Sequence, residues 1–382
     1  MKKNLIVTAI AALAASFATA ASAQSSVTLY GLVDAGLTYV NNVQNHTGEG
    51  EKASSWGVTS GNLNMSRWGL RGAEDLGGGM KAIFTLENGF NLANGQTVGG
   101  NGFGRQAFVG LSTNDGTLTL GHQTDSVTDY LGPLSATGTW GGTYFALPGN
   151  LDNLNGDAFR ENNSVKFQSA NYAGFSFSGL YGFSNAAGSF AANRAYSIGA
   201  GYTNGGLKFG AAYMQANGIG SNNVGAITAD PYATIGSRIG DIRQRTFGAG
   251  GSYAMGPATV GLLWTQTRQD SNTFNAASNI VNNYEVNGRY AVTPALSVGA
   301  AYTFTNAKFN DTFEPTRVRY LQFGLQTDYA LSKRTDIYAE GVMQIASGLP
   351  AGQYPVAGIS GAGDVSSSSR QVLLSTGIRH RF

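Results

Sequence analysis

The chain has 382 residues with no cysteine, 55 glycines, 18 tyrosines and 20 phenylalanines, and only 12% of it is charged, against about a quarter in soluble domains. Lack of cysteine excludes a disulfide framework and thiol chemistry, and a formal charge of +2 excludes the bulk positive field of a nucleic-acid binder. Beyond the first residues no apolar run is long enough for a membrane-crossing helix, which needs about 20 largely apolar residues, so contact with lipid would fall to strands.

Met1 to Ala23 starts with Lys2 and Lys3, continues through an apolar centre from Leu5 to Ala15 and ends in Ala21-Ser22-Ala23. That is the pattern of a secretory signal peptide, residues 1–23, leaving a mature chain of 24–382. Without Lys2 and Lys3 the 24 bases fall level with the 22 acids, and the mature chain is neutral.

From Val27 every second residue is apolar or small: Val27, Leu29, Gly31, Val33, Ala35, Leu37 and Tyr39, with Thr28, Tyr30, Asp34 and Thr38 between them. A period of two gives a strand with one oily and one wetter face. The pattern returns at Trp68 and Leu70 against Arg67 and Arg71, at Met80 to Leu86 against Lys81, Thr85 and Glu87, and around Gln106 to Leu111 and Thr117 to Gly121.

From Asp125 to Asn163 the alternation stops, for longer than ordinary connections run. This stretch carries Asp125, Asp129, Asp152, Asp157 and Glu161 against Arg160, with Tyr130, Trp140, Tyr144, Phe145 and Phe159 among them. It is too apolar for a disordered tail and too irregular for a strand. In a closed barrel it could fold inward and hold its carboxylates in the lumen; the alternative is an acidic loop on the surface.

Alternation resumes at Val165 and Phe167 against Lys166 and Gln168, and continues through strands at Phe175 to Phe183, Tyr196 to Tyr202, Leu207 to Tyr213, Phe247 to Tyr253 and Val260 to Trp264. Five more follow, at Tyr284 to Val292, Leu296 to Phe304, Leu321 to Tyr329, Thr335 to Ile345 and Val372 to Phe382. The count is roughly 16, an even number in the range of transmembrane barrels. Tight turns, such as Asn204-Gly205-Gly206 and Met255-Gly256-Pro257, alternate with longer loops near 41–61, 91–103, 125–163, 185–193, 217–241, 269–282, 306–316 and 347–369. Tyrosines at strand ends (Tyr39, Tyr202, Tyr213, Tyr253, Tyr290, Tyr329) suit an interfacial girdle. The expected fold is all-β: a 16-stranded antiparallel transmembrane β-barrel, whose closed sheet satisfies every backbone group in lipid. A soluble sandwich would turn rows of Phe and Tyr toward water.

Enzyme signatures are missing. His46, His122 and His380 lie far apart without metal-ligand spacing, the glycine runs at 77–79 and 100–104 lack the lysine and helix of a phosphate cradle, and no Gly-x-Ser-x-Gly occurs. No catalytic residue, cofactor or metal is expected. Two alternatives to a general channel are a sugar- or organic-acid-selective channel, disfavoured by the dispersal of Trp56, Trp68, Trp140 and Trp264, and an outer-membrane hydrolase.

Several segments in order carry a wider likeness: Ser26-Val27-Thr28-Leu29-Tyr30-Gly31, Ser66-Arg67-Trp68-Gly69-Leu70-Arg71-Gly72, Leu86-Glu87-Asn88-Gly89-Phe90, Arg105-Gln106-Ala107-Phe108-Val109-Gly110-Leu111, Asn162-Asn163-Ser164-Val165-Lys166-Phe167, Leu331-Ser332-Lys333-Arg334-Thr335-Asp336 and Gly377-Ile378-Arg379-His380-Arg381-Phe382. Together they resemble the general trimeric porins of β-proteobacteria, of the Neisseria, Burkholderia and Bordetella type, over essentially the whole mature chain. The resemblance implies an outer-membrane homotrimer in contact with lipid and lipopolysaccharide, passing small hydrophilic solutes and ions, with its third loop, 125–163, folded into each lumen. It implies a basic side of the constriction formed by Arg67 and Arg105, with Arg160 or Lys166 as a third, facing loop acids that here would be chiefly Asp152, Asp157 and Glu161. It also implies that the terminal Phe382 is read by the barrel-insertion machinery. The chain departs from the family at His122, where arginine is common after Leu-Gly, and at Gln168-Ser169-Ala170, where an acid, serine and proline are usual. A ring of bases makes the expected preference anionic, moderated by the loop acids and His122.

Overall fold

The computed structural model describes residues 26–44, 52–98, 102–218, 225–227, 242–271, 278–310, 316–348 and 356–382. The signal-peptide reading of 1–23, His46 and most of the 217–241 loop lie outside them. Seventeen strand segments follow in chain order: β1 (Ser26–Gln44), β2 (Lys52–Ser60), β3 (Arg67–Gly77), β4 (Met80–Gly89), β5 (Gln106–Ser112), β6 (Gly116–Gln123), β7 (Glu161–Ser169), β8 (Phe175–Gly182) and β9 (Ala195–Asn204), then β10 (Leu207–Asn217), β11 (Ile242–Met255), β12 (Ala258–Ser271), β13 (Ser278–Ala291), β14 (Leu296–Asn310), β15 (Thr316–Ala330), β16 (Thr335–Ser347) and β17 (Arg370–Arg381). Two short helices, α1 (Ser126–Leu131) and α2 (Ala136–Thr139), lie between β6 and β7.

All pairings are antiparallel, and β17 returns to β1 from Leu32↔Arg381 to Val40↔Leu373, so the sheet closes and has no edge. β2 and β3 occupy one position between them: β2 pairs with the upper part of β1 (Ala35↔Ser60) and β3 with its lower part (Leu32↔Arg67). The barrel therefore has 16 strand positions, one of them interrupted at residues 61–66. The reading of 41–61 as loop is corrected here. In β2 only Trp56 and Val58 stand out as apolar on the outer face, and the small inner residues Ala53, Ser55 and Gly57 blur the alternation.

Outer and inner faces follow the period of two. Leu262, Ile198 and Leu325 point outward and are exposed, whereas Gln244, Asn283, Glu285 and Gln322 point inward and are buried. This inversion of the usual inside-out order is what lipid outside and water inside select. Gly205 and Gly256, with φ of 57° and 56°, make two of the tight turns, a conformation that glycine adopts without steric cost. Outward tyrosines Tyr202, Tyr253, Tyr290 and Tyr329 sit at this tight-turn end. At the other end the outer face carries a second aromatic row, Tyr213 stacked on Phe247 and Phe247 on the edge of Trp264. The sheet extends past the expected loop bounds: β12 ends at Ser271, β13 begins at Ser278 and β14 runs to Asn310.

Candidate functional site

Residues 124–160 leave the wall after β6 and fold onto its inner face; Glu161 to Asn163 already belong to β7. Asp125 starts the excursion by capping α1, its carboxylate accepting from Val127 N at 2.5 Å and Thr128 N at 3.2 Å, which satisfies two of the free N–H groups of the first turn. Pro133 and Ser135 end α1 and begin α2, the Ser135 hydroxyl accepting from Gly138 N at 3.0 Å. Val127, Leu131, Leu134, Leu147, Leu151 and Leu154 then bury against Ala212, Met214, Leu263, Val281 and Ala307 of the wall. Farther along, Tyr144 and Phe145 join Val40, Val342, Leu373 and Ile359 in a second apolar cluster.

Polar contacts fix the same path. Thr265 donates to Asp152 at 2.7 Å, Ala136 N to Glu285 at 2.8 Å, Asn287 to the Leu134 carbonyl at 3.0 Å and Gln322 to the Ala146 carbonyl at 3.2 Å. At the tip, Tyr144 donates to the Asn62 side chain at 3.0 Å and Thr143 N to the Asn62 carbonyl at 2.8 Å. Residues 61–66 thus form a ledge that receives the loop. The ledge is held in turn by Asp34, whose carboxylate accepts from Leu63 N and Asn64 N at 2.8 Å and from Tyr338 at 2.6 Å.

The charged residues gather beside this ledge. Arg105, the residue before β5, donates through Nε to Glu87 at 2.7 Å and through Nη1 to Asp157 of the loop at 2.7 Å. Arg67 lies 3.9 Å from the other oxygen of Glu87, which also accepts from Tyr30 at 2.9 Å. Arg160 is buried beside Arg105 and Asp157. Three guanidiniums thus face two carboxylates. Burial would pull the Arg105 guanidinium down, but Asp157 and Glu87 outweigh it and hold it above the ordinary arginine value. Burial and the neighbouring Arg105 bring Arg160 down to about 10, so it stays charged at neutral pH. Arg67 and Asp157, with Asn64, Met65, Thr128 and Gly138, line a cavity of about 180 Å³ between ledge and loop.

The other expected site residues stand elsewhere. Lys166 ion-pairs with Asp129 at 2.5 Å and donates to the Thr124 carbonyl at 2.8 Å, while Glu161 is fully buried near Asp125 and Lys166. Asp152 is on the far wall, bonded to Thr265 and Asn283. Burial pushes the carboxyls of Asp125 and Asp152 up to about 6, with Asp129 adding to the shift at Asp125. His122 spans Asn162 at 2.6 Å and the Gly104 carbonyl at 3.0 Å, tying strands rather than facing the cavity. Among the described residues no group of three or more His, Asp or Glu could hold a metal ion.

Sequence reasoning missed Glu87, the acid both wall arginines share, and the ledge; the break in alternation between Ser60 and Arg67 was the one local signal of the ledge. It also missed that the last loop turns inward, with Ile359 buried against the tip of the inner loop and its N–H donated to Gln371 at 2.8 Å.

A sequence profile of the Gram-negative porin family matches residues 9–347. Among curated proteins the chain is 33% identical to an outer membrane porin of Bordetella pertussis, over 89% of this chain and 94% of that one. It is 31% identical to outer membrane porin protein 32 of Delftia acidovorans over the full length of both. Among solved structures, the anion-selective porin from Comamonas acidovorans superposes with a TM-score of 0.71 at 26% identity, covering 94% of this chain and all of that one.

Proposed function

We propose a pore mechanism from the premise that this chain belongs to the Gram-negative porin family: the outer-membrane channel it forms is a general diffusion pore narrowed by residues 124–160 and biased toward anions. The observation that carries the bias is the cluster of Arg67, Arg105 and Arg160 against Glu87 and Asp157, which leaves one net positive charge beside the open cavity. A partly desolvated lumen strengthens that charge relative to bulk water. Solutes pass by diffusion, and the chemistry asked of the protein is electrostatic and steric only. Arg67, the least enclosed of the three, supplies the field a passing ion meets; Arg105 ties the wall to the loop.

Lys166, Asp152 and Glu161 serve the loop: Lys166 and Glu161 at its root, Asp152 at its foot on β12 and β13. The homotrimer, the contact with outer-leaflet lipid, removal of residues 1–23 and recognition of Phe382 by the insertion machinery complete the proposal. Support for the Phe382 reading comes from its backbone pairing with Gly31 at 3.0 and 3.1 Å and its exposed side chain. The zero-current potential of purified channels across a salt gradient tests the reading. A potential of the anionic sign supports it; one of the cationic sign overturns it.

A further inference from the structure

Of the five methionines among the described residues, four stand away from the open part of the pore. Met80, Met255 and Met343 are exposed on the outer face of β4, β11 and β16, and Met214 is sealed beneath the inner loop. Met65 differs. It belongs to the ledge, is half-buried, and lines the cavity between ledge and loop together with Arg67 and Asp157.

The sulfur is seated among the charges of the constriction. Arg105 Nη1 donates to Met65 Sδ at 3.0 Å, and the same nitrogen holds Asp157 of the loop at 2.7 Å. A Cβ on Gly89 would stand 3.1 Å from that sulfur and 3.0 Å from Arg105 Cδ, so the missing side chain leaves the space that thioether and guanidinium share. Gly89 is in turn the register partner of Arg67, and Met65 thus sits with both wall arginines. A thioether accepts hydrogen bonds weakly, and after one such bond it keeps a second lone pair, the nucleophile toward small oxidants.

We propose that Met65 is an oxidation site, through which hypochlorous acid entering the pore lowers the conductance of the channel it passes. The sulfur attacks chlorine and hydroxide leaves; water then displaces chloride from sulfur and gives up two protons, one of them to the hydroxide. In sum, one thioether and one hypochlorous acid become one sulfoxide, one chloride and one proton, sulfur losing the two electrons that chlorine gains. The departing anions meet the positive charge of Arg67 and Arg105, which favours the step. The product is polar where the thioether was apolar, and sulfoxide reductases can reverse it. Its oxygen competes with Asp157 for Arg105 Nη1, which loosens the tie between wall and loop, and it adds bulk and the negative end of a dipole to a cavity of about 180 Å³. The inference rests on the ledge and loop bordering the pore but not on the sign of its selectivity, which the untreated channel reports separately.

Channels in lipid bilayers are exposed briefly to dilute hypochlorous acid and quenched with free methionine. Conversion at each methionine is read by peptide mass spectrometry, and single-channel current is recorded before and after. Met65 should convert severalfold faster than Met214 and Met343, with conductance falling in step. The anion-to-cation permeability ratio should move about twofold toward cations, less than in R67Q, because a dipole acts more weakly than a unit charge. Treated M65L should keep its own untreated conductance, whereas M80L/M255L/M343L should respond as wild type does. Where M65L does not fold, the correlation of wild-type current with conversion at Met65 carries the test. Met65 left reduced while Met80 and Met255 are converted overturns the proposal, and so does full conversion of Met65 with unchanged current. An equal fall of current in M65L also overturns it, assigning the response to another side chain.

Discussion

Arg67→Gln separates the electrostatic role of the constriction from its architecture. The Arg67 side chain is 26% exposed and its ion pair with Glu87 is long, at 3.9 Å, so its loss disturbs packing little. Its removal takes the cluster from three cations against two anions to an even balance. At about 6 Å a unit charge acts on a passing ion by roughly 0.7 kcal/mol in bulk-like water and roughly 2.8 kcal/mol at an effective dielectric near 20. The lower figure already changes anion occupancy about threefold and cation occupancy about threefold in the opposite sense, so the permeability ratio shifts about tenfold. The assay is the zero-current potential of single channels in a gradient at low ionic strength, repeated in concentrated salt, where screening shortens to about 3 Å at 1 M. The variant should move toward cation preference at low salt and converge on wild type at high salt. A folded R67Q channel with the wild-type potential at low salt refutes the assignment of Arg67 to the narrow zone. So does a shift that persists undiminished at high salt, since that is not a field effect.

Arg105→Gln should shift selectivity in the same direction and also loosen the loop, because Glu87 and Asp157 lose their shared partner; removing one member of a buried pair costs about 3–5 kcal/mol, read as current noise and a lower melting temperature. Gly324→Val should lower single-channel conductance, since a Cβ there meets the Phe145 ring, and overpacking of about 1–3 kcal/mol pushes the loop tip off the wall and farther into the lumen; unchanged conductance in a folded barrel would place Phe145 elsewhere. Asp152, raised by burial to about 6 from an ordinary 3.8, favours the docked loop when protonated. Its stabilisation is full below about pH 4 and is lost as pH rises through about 6, a swing of about 3 kcal/mol, so Asp152→Asn should keep the loop as quiet at pH 7.5 as wild type is at pH 4 and flatten its own share of the dependence between. Deletion of Phe382 removes the backbone pairing to Gly31 and an exposed terminal ring, and should lower the amount of folded barrel reaching the outer membrane.

The barrel wall was legible because lipid sets one requirement at every second residue. Leu262, Leu325 and Ile198 each obey it without reference to any distant part of the chain. β2 escaped because its outer face has only Trp56 and Val58 to show and its inner face is made of small residues. The lumen has no such uniform rule. Asp152, Asp157 and Glu161 are equivalent as sequence, yet one faces Thr265, one faces Arg105 and one is enclosed near Lys166. Those outcomes are set by contacts 113 residues apart in the first case and 52 in the second.

The loop's path left one mark in the sequence that local reasoning could have used. Along β9 to β15 the inward positions that should carry polar, lumen-facing side chains include Gly199, Gly248, Gly261, Gly299 and Gly324. Each stands under the loop: Gly199 beneath Tyr130, Gly248 beneath Leu131, Gly261 beneath the Leu134 carbonyl, Gly299 beneath Trp140 and Gly324 beneath Phe145. A glycine inside a strand weakens it and marks close approach of another group. Five of them on the inner face of β9, β11, β12, β14 and β15, matched in order to five contacts of an irregular aromatic segment, trace a line across the wall. The side chains that rest on this line come from one continuous stretch, Tyr130 to Phe145, so the glycines fix both which segment lies in the lumen and the direction in which it runs.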